Sequence, residues 1–262
     1  MNKKLGLRIL VNAALLFWVG ITKATVIDGG EVRFLGHVTD EGPRWTWHLA
    51  SQEQNWAVDV SDAIASGKIL TFSPGNGQTL PFLEGRLYRI SERGGLGYTP
   101  QVQFSSGGQP FKLPEGGTTI DNRFRASVPV INPHNGDSVG QLKFTVEQAM
   151  AASFGHQDEV GRQPPTGMSL LSGRSVSMTG STASSSMLGR LSDLLHMIPD
   201  FGTDMTSISN GQIISQDVLM SGKVMNIAAA YASTLSDFEL ILPRDSLPSR
   251  WQAKISVTVT VQ

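Results

Sequence analysis

Residues 251–262 alternate without exception: Trp251, Ala253, Ile255, Val257, Val259 and Val261 are apolar, while Gln252, Lys254, Ser256, Thr258, Thr260 and Gln262 are polar. Period two is the repeat of a β-strand, whose successive side chains point to opposite faces, and the Val, Ile and Thr content suits that geometry. The segment predicts one strand with a single face against a core, and it commits the chain to a β architecture. The sequence stops at Gln262 with no turn after it. The segment raises the question of what lies along this strand and whether this molecule supplies it.

The same alternation recurs upstream. In GGEVRFLGHV, Val32, Phe34, Gly36 and Val38 share one strand face, with Gly29 and Gly30 before them and DEGP after them as breakers. RWTWHL places Trp45 and Trp47 on one side of a short strand. NWAVDVSDAIASGKILTFSPGNG predicts one or two helical turns ended by Gly67, a strand through Ile69 to Phe72, and a Pro-Gly-Asn-Gly turn. GRLYRIS, PQVQFSS, FRASVPVI and VGQLKFTV read as further strands, the last two joined by a hairpin around Asn135 and Gly136. Strand pattern returns in GQIISQDVLMSGKVMNIAAAYAST and FELILP. About eight short strands between Gly-rich and Pro-rich turns predict a β-sandwich.

The stretch from about Gln148 to Ser221 differs. It is rich in Ser, Thr, Gly and Met, and in MLGRLSDLLHMI the residues Leu188, Leu191, Leu195 and Ile198 follow helical spacing until Pro199. It reads as an insertion (148–221) carrying a short amphipathic helix on a β-domain.

The first 24 residues read as a secretory signal peptide. MNKKLGLR is a basic start, ILVNAALLFWVGI an apolar run of 13 residues, and Thr22 and Ala24 are small residues around a cleavage point after Ala24. A membrane span needs about 20 apolar residues, and no later segment approaches that length. The leader takes four of the 21 basic side chains (Lys3, Lys4, Arg8, Lys23) and none of the 22 acidic ones, leaving 17 against 22 and a net charge of −5. Nucleic-acid binding thereby loses its electrostatic footing. With no cysteine, the chain has no disulfide framework, thiolate zinc site or Cys nucleophile.

Convergent catalytic groups are scarce. The five histidines, His37, His48, His134, His156 and His196, make no paired-ligand spacing. GHQDEVG brings His156, Asp158 and Glu159 together, a pattern met far more often in solvated loops than in metal sites. Neither a G-x-S-x-G elbow nor a phosphate-binding Gly motif occurs. A secreted hydrolase built on His156, Asp158 and scattered serines is the weakest reading, and no cofactor or metal is expected.

Backbone chemistry is more informative. A strand at a sheet edge leaves N–H and C=O groups unpaired and an apolar face beside it uncovered. Covering four or five side chains of such a groove is worth of order 6–15 kcal/mol, comparable with the stability of a whole domain.

GGEVRFLGHV resembles the N-terminal extension of chaperone–usher fimbrial subunits, in which Gly-x-Val-x-Phe-x-Gly-x-Val is the donor strand. The likeness is nearest to the kappa-class branch, fimbriae of the K antigen eighty-eight type. It rests also on the paired tryptophans of RWTWHL, on NWAVDVSDAIASGKILTF, on the hairpin before VGQLKFTV, on the absence of cysteine, and on a Trp opening the last strand. The resemblance implies an all-β fold, an incomplete immunoglobulin-like sandwich lacking its last strand, with an insertion carrying a short helix. It divides the chain into a signal peptide (1–24), a donor-strand extension (25–42) and a pilin-type domain (43–262).

In that scheme Val32, Phe34 and Val38 plug a neighbour's groove and Gly36 allows close approach. Trp251, Ala253, Ile255, Val257, Val259 and Val261 border the acceptor groove, and a periplasmic chaperone holds the carboxylate of Gln262. An outer-membrane usher then exchanges the chaperone's strand for that of a neighbouring subunit. Family members often carry a penultimate tyrosine and an upstream glycine; here the penultimate residue is Val261 and the last thirteen residues hold no glycine, which fits a minor rather than a major subunit. The implied function is that of a minor structural subunit of an adhesive fimbria, exported through the periplasm to the cell surface. The alternative is an adhesin subunit that binds a host glycan through the insertion, with Phe154 and Phe201 its candidate aromatic contacts.

Overall fold

The computed structural model describes residues 44–51, 53–75, 77–111, 121–157, 163–178, 182–202 and 204–261. Two long strands organise them. β9 (Ser138–Phe154) and β12 (Met225–Pro243) pair antiparallel from Ile227↔Phe154 to Ile241↔Gln141. Their register slips between Ser236 and Glu239, where Asp237 adopts a φ of 52°. Such a bulge bends and twists a ribbon, and the two halves on either side of it have different neighbours.

One half is flanked by β4 (Leu80–Leu87) and then β1 (Trp45–Leu49), and on its other side by β10 (Met168–Ser172) and β11 (Ser209–Ser215). β5 (Ser91–Arg93) pairs with the start of β12. The other half is flanked by β3 (Ile69–Phe72) and β2 (Ile64–Ser66), and by β8 (Arg123–Ile131) and β13 (Gln252–Ala253). A small second sheet, in the order β14 (Ser256–Val261), β6 (Pro100–Ser106), β7 (Gln109–Pro110), lies against this curled sheet. Between them runs a chain of aromatic contacts: the Phe104 ring of β6 stands 6.0 Å from Phe82, 5.8 Å from Phe111 and 6.2 Å from Phe124. It continues through Phe144 and Phe238 to Trp56.

Burial along the long strands follows what covers them. In the second half of β12, Phe238, Leu240 and Leu242 are buried and the residues between are not; residues 227–233 are buried without interruption. Uninterrupted burial requires cover on both faces, and α1 (Ser185–His196) supplies the second cover. Arg190 of α1 grips Glu84, which lies opposite Ala232, and Ser184 donates its N–H to Glu147, opposite Thr234. The helix therefore sits on the face carrying Ala228, Ala230, Ala232, Ala149 and Ala151, small residues that permit close packing. Met187, Leu191, Leu194 and Leu195 form its buried stripe. Parallel strands need a long crossover, and α1 is that crossover, since β10 and β11 pair in parallel.

The all-β sandwich with one short helix is thus as expected, and the helix ends just before Ile198 and Pro199. Four details differ. The helical turns before Gly67 reduce to a 3-10 turn, Val60–Asp62, capped by Asp59, and Gly67 (φ 59°) instead turns the β2–β3 hairpin. GRLYRIS is not one strand, because β4 begins at Leu80 and ends at Leu87. Gln148 opens no insertion loop; it lies inside β9, which runs on to Phe154. The strand expected over residues 251–262 is two strands in two sheets, β13 against β8 and β14 against β6. An unbroken alternation cannot reveal that crossing, because both pieces keep the same inward parity.

Candidate assembly edge

β14 pairs with β6 over its whole length, from Ser256↔Ser105 to Val261↔Pro100. The register sets Val257 beside Phe104 and Val259 beside Val102 on the face turned to the core. Ser106 Oγ donates to the Lys254 carbonyl at 2.7 Å and fixes the point where the chain passes from one sheet to the other. Among the described residues β6 is the only strand paired with β14.

Burial along the apolar face of β14 fades toward its end. Val257 is 5% exposed, Val259 is half-buried and Val261 is 43% exposed. Among the described residues, an edge position in the sheet and the exposed end of an apolar face coincide on this six-residue segment, and a strand edge is where another strand can add.

Of the residues expected at the groove, Val257, Val259 and Val261 are on this edge. Trp251, Ala253 and Ile255 are half-buried against the core, with Ala253 paired to Val130 of β8. Gln262 and the expected donor residues Val32, Phe34, Gly36 and Val38 lie outside the described residues. The partner of the last strand, β6, is not legible in the sequence. PQVQFSS showed its period, but a pairing across about 150 residues leaves no local trace.

Among the described residues the other candidate chemistry is not brought together. Asp158 and Glu159 lie outside the described residues, and among those described no three His, Asp or Glu side chains gather as metal ligands. The nearest likeness to a nucleophile and base is Ser207 with His196, at 3.3 Å from Nδ1 and 3.4 Å from Nε2. Near-equal distances to both ring nitrogens leave the hydroxyl aimed at neither, while Nδ1 is 2.9 Å from the Ser192 carbonyl. Phe154 is buried, and Phe201 is half-buried edge-on to the His196 ring. Neither is the exposed aromatic that a glycan-binding insertion would need. No helix among the described residues is long and apolar enough to cross a membrane.

Comparison with known families says where such an edge belongs. The model of the K88 fimbrial family, described as "Fimbrial, major and minor subunit", matches residues 2–262. The chain belongs to the K88 fimbrial subunit family. No curated protein matches it. As a fimbrial subunit it is a structural component of a cell-surface fimbrium and associates with other fimbrial subunits, and its family is structural, not enzymatic.

Proposed function

We propose that this chain is a minor subunit of an adhesive fimbria, assembled by donor-strand exchange along the chaperone–usher route. After export, a periplasmic chaperone lends a strand to β14. At the outer-membrane usher that strand is replaced by a neighbour's extension, while this chain's own extension, with Val32, Phe34, Gly36 and Val38, enters the next subunit. No bond is made or broken, and the free energy comes from backbone pairing and apolar burial at the recipient edge. The observation that supports the reading is the coincidence on β14 of a strand edge and a fading apolar face. Contribution to host-cell adhesion would follow from membership in the fibre. Direct glycan binding through the insertion gains no support from Phe154 or Phe201.

The test compares residues 43–262 alone with the same residues carrying GGEVRFLGHV after Gln262 through a flexible linker. The completed chain is expected to be monomeric and to melt of order 20 °C higher, since several kcal/mol of burial moves the midpoint of a 220-residue domain by that much. Equal melting temperatures and equal light scattering would show that the edge needs no added strand.

A further inference from the structure

The geometry points to Ser175 and Gln216 as positioning residues for the assembly edge, holding β6 from the side opposite β14. This inference rests on the acceptor reading of β14 and names what fixes its partner strand.

Pro100 stands opposite Val261, at the end of the edge that is most exposed. As a proline it has no N–H to offer a further strand on the side its carbonyl faces. Its carbonyl is taken from elsewhere: Ser175 Oγ donates to it, and Gln216 Nε2 reaches it at 3.5 Å while also donating to Ser175 Oγ. The Ser175 N–H donates in turn to Gln216 Oε1 at 2.9 Å. Both side chains belong to buried residues. A buried amide and hydroxyl with their partners satisfied hold one arrangement, because any other leaves a desolvated polar atom unpaired.

The two residues come from the segment after β10 and from the 3-10 turn Gln216–Met220 after β11. β7 braces the other end of β6, at Ser105 and Ser106. At Pro100, Ser175 and Gln216 replace the missing strand neighbour. Gly173 keeps the space clear, since a Cβ there would stand 2.6 Å from Gln216 Cβ. The insertion, peripheral to the sandwich in sequence, thereby sets the position of the strand against which β14 is registered. It follows that the hold on a donor strand depends on the insertion.

The experiment uses the full chain and a fluorescent synthetic peptide of residues 25–42. In the Ser175→Ala/Gln216→Leu double variant, which removes both partners together, amides of β6 and β14 are expected to exchange with deuterium faster while those of β9 and β12 stay as in wild type. The peptide is expected to dissociate about tenfold faster, the scale of one or two net hydrogen bonds. Gly173→Ala, which displaces Gln216 without touching its chemistry, should act in the same direction. Ser192→Ala, elsewhere in the insertion, should do neither. Unchanged exchange in β6 and β14, or unchanged peptide dissociation, overturns the positioning role. Uniformly faster exchange across all strands overturns it too, by showing a general loss of stability. Failure of the wild-type chain to bind the peptide overturns the acceptor reading itself, and the exchange data then report on β6 separately.

Discussion

Glu84 faces out of β4 into the layer beneath α1, its side chain 5% exposed, and Arg190 meets it with two charge-assisted hydrogen bonds, Nε to Oε1 at 2.7 Å and Nη2 to Oε2 at 2.6 Å. The Glu84 hydrogen bond raises the already high Arg190 pKa, so the cation persists at every working pH. Removing one partner of a buried pair leaves a desolvated charge. Arg190→Met is therefore expected to cost about 2–3 kcal/mol in urea unfolding, at the low end for buried pairs because solvent reaches the guanidinium. Adding Glu84→Gln should recover most of that loss; a double variant as unstable as the single would show that the guanidinium stem, not the charge, matters. Tyr231 offers a pH handle at the same scale. Fully buried and donating to Gln148 Oε1 at 2.8 Å, its phenol is pushed by burial well above its ordinary range. A folded pKa above the unfolded one means stability that is complete below about pH 10 and is lost as the pH rises further. Tyr231→Phe should cost about 1 kcal/mol at neutral pH, and its deficit should shrink above pH 10 as the wild type weakens. A deficit constant with pH would contradict the burial argument.

At the scale of elements, α1 was the most legible part of the sequence. Its leucines recur at helical spacing and Pro199 bounds it. Its cap is equally local: Ser184 Oγ accepts from the Met187 N–H at 3.2 Å. Ser184→Ala is expected to lower stability by about 1 kcal/mol and to leave peptide dissociation from β14 unchanged; a faster dissociation would mean that the helix, and not only Ser175 and Gln216, supports the edge. Short strands with clean alternation, such as β6 and β8, were also readable. β9 and β12 run further than alternation marks them, because alternation is lost where α1 covers the second face and nothing local announces that cover. The last strand failed in the opposite sense. Its alternation was perfect, yet the passage from β8 to β6 between Ala253 and Ser256 depends on tertiary neighbours alone. Of the candidate site, the inward residues Val257, Val259 and Val261 were legible, whereas Pro100, Ser175 and Gln216, brought together across more than 70 residues of chain, were not.

Across the whole molecule the question is whether the insertion and the two halves of the curled sheet are separable. β9 and β12 pass through both halves as single strands, so neither half can lose its sheet without breaking a ladder that the other half shares. The insertion is tied in through α1 on the alanine face and through the buried Ser153 hydroxyl, which donates to the Thr206 carbonyl at 2.8 Å. Removing the helix would uncover Ala228, Ala230 and Ala232 together with the Glu84 carboxylate, so the insertion is part of the core. Unfolding should then be one cooperative event. Tryptophans report on both halves: Trp47 lies 5.7 Å from Tyr231 beside β4, and Trp56 lies 4.7 Å from Phe238 beyond the bulge. In residues 25–262, a Trp56→Phe/Trp251→Phe variant and a Trp45→Phe/Trp47→Phe variant leave tryptophan fluorescence on opposite halves. In each, the urea transition seen by fluorescence is expected to coincide with that seen by far-ultraviolet circular dichroism. Two separated transitions would instead mean that the bulge at Asp237 divides the molecule into independent units. On the proposed reading of β14, a single transition passes the stability gained from an added strand to α1 and the insertion as well.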